Sequence, residues 1–495
     1  MPSCSCLRRL TWDSNAGIPG VLSRTRLGDA DMRLSIPRSL RLRSFHSSSI
    51  AAARAPDVFT NSLRKTLEAH RSTNRSRLIR KTFPIEDPAG LWRPEIPSKK
   101  QPSYVYPVDT PSKQKNRSDP AAEKAIQGTC YPQSPWLRNL DLPRTDAEST
   151  LDTEIRALEQ YLALNAQEKD HVEKLKIKIA SLLKAVVPHT PKVIGSHCTG
   201  LALAHSTLDF IIPHEDPARS LDRDRRPSPT RPQIRDAHFR LLRQVEKVLQ
   251  HADAFATIDL QQKSALSVRH RPTGLVLQFY CGEGIPAITE YLQDYQVEYP
   301  ALRPLYAVTR TLLEARGLFG SSQASIGPDA LAMLIVAFLK MNHGRFPGPN
   351  RLGDQFLALL QFYDTQVNIQ SVGIAVDPPS IFSASTLPAI SDADEPAHLR
   401  GQRSLISAKC TAAAKRNVPV AQRLCIQDPT HYLNDLGRSC TRTSELQGAF
   451  ADAHQQLRRT CDEWTDTSFK GSSILSTVLR ANFDELEKMR NKNSM

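Results

Sequence analysis

The run Gly195-Ser196-His197-Cys198-Thr199-Gly200-Leu201, followed by Ser206-Thr207-Leu208-Asp209, places a Gly-Ser pair between a short apolar stretch and a helical one. A turn of this kind presents backbone N–H groups and a hydroxyl to an anion at the positive end of a helix. Residues two apart on a strand share a face, so Thr207 and Asp209 point the same way. Asp209 is then either a metal ligand or a polar residue at a strand end. Ser196 either binds a phosphate or caps the following helix, and capping is the preferred reading. His197 and His205 flank the turn at a spacing that fits no zinc motif, and they read as surface histidines.

Other candidate chemistry is sparse. Nine scattered cysteines form no CxxC or Cys/His set, which points to free thiols in a reducing compartment. The stretch 219–231 holds five arginines but also Asp222 and Asp224, and is either a contact for RNA backbone or a solvated surface loop. The net charge of +14 is unevenly placed: residues 1–130 hold 23 of the 65 Lys+Arg and 11 of the 51 Asp+Glu, leaving 42 against 40 in the rest. The basic field therefore belongs to the N-terminal part and says little about what the body binds. The most apolar run, residues 330–341, is too short to span a bilayer and reads as a buried helix.

The elements that must position the Gly-Ser turn can be read from periodicity. Leu151, Ile155, Leu158 and Leu162 share one helical face, and a second helix is expected over 168–186. The period then changes to short strands at 192–194 and 208–212, a helix at 239–252 and a strand at 274–280. Helices follow at 302–316, 329–341 and 354–363. Residues 380–418 read as a loop or linker, and 444–459 and 472–489 as late helices. The order predicts an α+β fold, with a small mixed sheet inserted in a mostly helical domain. The first fifty residues are rich in Arg, Ser and Leu with few acids, as in a mitochondrial presequence. Residues 51–138 read as a flexible basic extension, with Trp92, Tyr104 and Tyr106 docked onto the body rather than stacked on RNA bases.

Gly-Ser, Gly-Leu and Ser-x-Leu-Asp in this order resemble the active-site signature of poly(A) polymerase-like terminal nucleotidyltransferases, whose palm is related to that of DNA polymerase β. The resemblance runs from Trp136 to about Leu457. Tyr299-Pro300-Ala301-Leu302-Arg303-Pro304-Leu305 with Arg310 and Arg316-Gly317-Leu318 resembles the long helix after the palm. Leu352-Gly353 with Phe356, Leu359, Phe362 and Tyr363 resembles the poly(A)-polymerase-associated helical domain. Gln427-Asp428-Pro429 with Asn434-Asp435-Leu436-Gly437-Arg438 resembles its base-recognition loop. The resemblance implies a palm at 187–286, a helical domain made of 139–186 and 287–460, and a C-terminal helix in 461–495.

It also implies a two-metal site of three carboxylates, holding magnesium or manganese, from which this chain departs. Thr207 stands where the first Asp belongs and Gln278 where the third does, so Asp209 is the remaining acid; Asp259 and Glu283 are conceivable replacements. Gly195, Ser196, Arg310, Asn434 and Asp435 match nucleotide-binding positions; Asn434 and Asp435 either recognise a base or cap a helix and close a turn, and turn structure is the preferred reading. Asp329 stands at the position of a base-stacking Tyr, and Glu314 at that of a second Lys, one turn after Arg310. The resulting expectation is a mitochondrial matrix protein that acts on or binds RNA, with impaired catalysis and no membrane span. The alternatives are an active adenylyltransferase extending RNA 3′ ends, or a structural or regulatory subunit of an RNA-processing or ribosomal complex.

Overall fold

Asp146 accepts the Ser149 amide at 3.1 Å and opens α1 (Ala147–Leu162). Asn165 and Glu168 then form a reciprocal capping box on α2 (Ala166–Leu183). In the computed structural model, residues 134–138, 146–214, 231–261, 264–282, 284–320, 324–346, 348, 350–387, 395–464 and 473–494 are described. All of them lie in the unit formed by residues 58–495. The basic leader, the extension with Trp92, Tyr104 and Tyr106, Glu283, and the arginine-rich stretch up to residue 230 lie outside the described residues.

After α2 the chain builds a five-stranded sheet from β1 (Lys192–Ile194), β2 (Leu208–Pro213), β3 (Phe255–Gln261), β4 (Ala265–His270) and β5 (Val276–Gly282), in the order β1-β2-β5-β4-β3. Only β2 and β5 pair in parallel, since α3 (Ser196–Thr199) precedes β2, and α4 (Arg231–Gln250), β3 and β4 form the crossover between them. Leu208, Phe210 and Ile212 of β2 and Leu277 and Phe279 of β5 point to one face. There they meet Leu175, Ile179 and Leu183 of α2 and Leu242, Val245 and Leu249 of α4. The period of two sends Asp209, Gln278 and Tyr280 to the other face.

That second face looks toward a helical layer built on α1 with α5 (Ile288–Glu298), α6 (Leu302–Ala315), α7 (Pro328–Met341), α8 (Leu352–Gln361) and later helices. Leu151, Ile155, Leu158 and Leu162 are fully buried in its core. Every residue from Ala330 to Leu339 of α7 is buried as well, with Pro328 at its first turn. The layer is closed by the far end of the chain. Buried Glu154 of α1 accepts hydrogen bonds from the Ser473 hydroxyl at 2.6 Å, the Ile474 amide at 2.9 Å and the Leu475 amide at 2.8 Å. Trp136 meets Phe483 edge-on at 5.5 Å. No helix among the described residues is long and apolar enough to cross a membrane.

Several elements differ from the sequence reading. The sequence periods show neither β3 nor β4: β3 is interrupted by a bulge between Ala256 and Asp259, with Thr257 at φ 49°, so its alternation is broken. The span 380–418, read as a loop, contains the end of β7 (Pro379–Phe382) and the 18-residue helix α9 (Ala397–Ala414). With β6 (Gly373–Val376) and β8 (Ile426–Gln427), β7 makes a three-stranded sheet. The buried face of α9 consists of Ala397, Gly401, Gln402, Leu405, Ile406, Lys409 and Ala412, which carries little apolar signal. Gly401 is required by close packing: a Cβ there would sit 2.3 Å from the Tyr432 carbonyl oxygen. After α10 (Val418–Gln422) and α11 (Thr443–Asp462), the single helix expected over 472–489 is two, α12 (Ser476–Leu479) and α13 (Asp484–Ser494), separated at Arg480 with φ 44°.

Candidate active site

The antiparallel pairing of Ile194 with Asp209 puts the Gly195-Ser196 turn directly over that carboxylate. Gly195 adopts φ +68°, and a Cβ built on it would lie 2.7 Å from Asp209 Oδ2, so both conformation and space exclude a side chain. Ser196 is the first residue of the one-turn helix α3, which Gly195 caps without a side chain. The expected capping role of Ser196 therefore does not hold, and its hydroxyl has no partner among the described residues.

Asp209 is partly buried, and its Oδ1 is sealed from solvent without a hydrogen-bond partner among the described residues. Burial pushes its carboxyl up to about 7; Asp329 adds to the shift, while the Thr207 hydroxyl and the Arg310 charge oppose it. Asp329, in the first turn of α7, is itself raised to about 6 by burial and by Asp428. The parallel ladder sets Gln278 beside Asp209, and the Tyr280 hydroxyl donates to Gln278 Oε1. Tyr280 entered the sequence reading only as the end of the strand 274–280, although its place two residues after Gln278 was the available signal for a role at the site.

These groups do not fit a pair of divalent ions. One carboxylate titrating near neutrality, a hydroxyl already donating to it and an amide oxygen engaged by Tyr280 supply too little negative charge. Asp259 does not repair the set. It is exposed, and the pairings Asp259–Ser267, Ser267–Gln278 and Gln278–Asp209 put it three strands from Asp209, roughly 14 Å at the usual strand spacing. No group of three His, Cys, Asp or Glu suited to a metal occurs among the described residues.

Arg310, on α6, is buried with its charge already answered. Its Nε donates to Glu314 Oε1 at 2.7 Å, its Nη1 to the Ser206 hydroxyl at 2.7 Å, and its guanidinium lies 4.8 Å from the Phe319 ring centre. Glu314 Oε2 is 2.9 Å from His205 Nε2. Burial opposes ionisation of Glu314, but Arg310 and His205 together outweigh it and hold the carboxyl at about 2. His205 is thus a buried partner of Glu314 and not the surface histidine expected. His197 is half-buried, and burial lowers its ring to about 4.

Asn434 and Asp435 lie in the loop after β8 and are engaged there. Asn434 Nδ2 donates to Asp428 Oδ2 at 2.9 Å. Asp435 Oδ1 accepts the Ile426 and Gly437 amides, each at 3.0 Å, and its Oδ2 lies 3.4 Å from Arg423.

A mixed sheet carrying a Gly-Ser turn over one acid, backed by two helices and facing a helical layer, is a nucleotidyltransferase fold. Its relatives make it more particular: the chain has the poly(A) polymerase-like form of that fold. It superposes on the polymerase core of TRAMP, an RNA surveillance complex, with a TM-score of 0.55 and 19% identity over 70% of this chain and 98% of that one. Over 170 residues, 34% of its length, it is 26% identical to the poly(A) RNA polymerase cid14 of Schizosaccharomyces pombe. That match spans 21% of the curated relative. The structure of mtPAP in apo form overlays more loosely, at a TM-score of 0.49 with 13% identity over 70% of this chain and 74% of that one. No protein-family model matches the chain.

Proposed function

We propose that this protein is a mitochondrial, poly(A) polymerase-like RNA-binding protein whose transferase chemistry is impaired. The observation that carries the reading is the pocket floor, where Asp209 has only Thr207 and Gln278 at the flanking positions, and Gln278 is turned to Tyr280. Two divalent ions about 4 Å apart repel by roughly 16 kcal/mol at an effective dielectric near 20. One carboxylate whose neighbours on the sheet, Thr207 and Gln278, are neutral does not offset that repulsion. Asp329 beside the floor adds a charge that opposes a triphosphate.

RNA as the ligand is supported by kinship: cid14 is named a poly(A) RNA polymerase, and TRAMP is described as an RNA surveillance complex. Import into the mitochondrial matrix is supported by the basic, acid-poor first fifty residues. The test is to incubate the purified chain with single-stranded RNA, magnesium or manganese, and each nucleoside triphosphate in turn. Binding of RNA without extension is expected. Extension that disappears in Asp209→Ala would replace this reading with an active adenylyltransferase. Capture from mitochondria that survives ribonuclease would instead favour a subunit of an RNA-processing or ribosomal complex.

A further inference from the structure

The His205–Glu314–Arg310 cluster has the contact set of an occupied anion site, and its anion belongs to the chain. A carboxylate held by a guanidinium on one oxygen and an imidazole N–H on the other is bound as a free carboxylate or phosphate would be. The cluster is drawn from two elements. His205 and Ser206 lie on the loop that enters β2, whereas Arg310 and Glu314 lie one turn apart on α6. The side chains of His205, Arg310 and Glu314 are 3%, 7% and 13% exposed, so the cluster is closed against water. Arg310 also borders the floor, close enough for its charge to act on Asp209.

We propose that Glu314 is an internal ligand, its carboxylate filling from within the anion site formed by Arg310 and His205 and so keeping phosphates out of the pocket. This deepens the reading above and rests on the pocket being of nucleotide-binding descent. An imidazole N–H donating from Nε2 to Glu314 accounts for the 2.9 Å contact. The Ser206 hydroxyl, which accepts from Arg310 and from the Leu203 amide at 2.8 Å, ties the same cluster to the backbone beside Thr207. The cluster therefore joins the loop entering β2 to the helical layer.

Removal of the internal carboxylate should unmask the site. The experiment compares the full chain, Glu314→Ala, and the double variant Arg310→Met/Glu314→Ala, by thermal melting in acetate, in inorganic tripolyphosphate, and in chloride of equal ionic strength. The parent is expected to melt at the same temperature in all three. Glu314→Ala should be raised by about 3 °C or more in acetate or tripolyphosphate, saturably. The double variant should lose that response. If Glu314→Ala does not fold in chloride, recovery of its far-ultraviolet circular dichroism on adding acetate reads the same site. A parent response equal to that of Glu314→Ala, no response or recovery in that variant, or a response retained without Arg310 would each overturn the proposal. These outcomes are separable from RNA extension by the parent chain, which bears on the impaired-transferase reading alone.

Discussion

In the loop 426–438 each carboxylate is surrounded by donors. Asp428 accepts the Thr430 amide at 2.7 Å, the Thr430 hydroxyl at 2.6 Å and Asn434, while Asp435 gathers two amides and sits beside Arg423. On the sheet, Asp209 leaves Oδ1 without a hydrogen-bond partner, as Asp435 leaves Oδ2, but it has no ion pair among the described residues to match Arg423, and another acid acts on it from α7. The same residue type thus serves as a fastener in one place and as an uncompensated group in the other.

This contrast can be broken from either side. The largest effect is expected at Asp435→Ala, which orphans two buried amides and should lower stability by about 2–4 kcal/mol in urea denaturation. Asp435→Asn, which keeps an acceptor for both amides, should cost less than half of that. A near-neutral Asp435→Ala would dismiss the loop as a fastened structure.

Asp209→Asn should act in the opposite direction. The folded carboxyl titrates near 7 against an ordinary value of 3.8. The folded chain therefore holds this proton more tightly than the unfolded chain does. The Asp209 contribution to stability is fullest below pH 4 and is lost as the pH rises through about 7. Asp209→Asn is expected to flatten that slope and to exceed the parent by about 1–3 kcal/mol at pH 8. A parent more stable than the variant at pH 8 would mean that a cation compensates the acid. The smallest effect is expected at Asn434→Ala, about 1 kcal/mol for one hydrogen bond. An unchanged melt with weakened RNA binding would instead turn that side chain into a recognition group.

Legibility in the sequence followed how local each signal was. The face of α1 and the apolar α7 were visible because their burial is written in side-chain type at helical spacing. The strand carrying Asp209 was visible through the turn that leads into it. Helix α9 was not, because its buried face is built partly from Gly401 and Lys409, which meet backbone carbonyls, and Gln402, which meets polar side chains. Strand β3 was hidden by its bulge. In the pocket, the residue types were readable but their engagements were not. The bond from Glu314 to His205 spans 109 positions, and the Asp209–Gln278 neighbourhood depends on a parallel ladder closed only after a long crossover.

The carboxylate of Glu154 has a consequence for the order in which the molecule can be made. Its three donors begin 319 positions later, at Ser473. At about 5–20 residues per second of synthesis, that interval lasts roughly 16 to 64 seconds. Throughout it, the first long helix carries a carboxylate destined for burial and lacks the segment that will cover part of its apolar face. The sheet can mature early, since its strands all lie between positions 192 and 282. The helical layer must wait for the last stretch of chain, so a chain ending before Ser473 leaves Glu154 without these three donors.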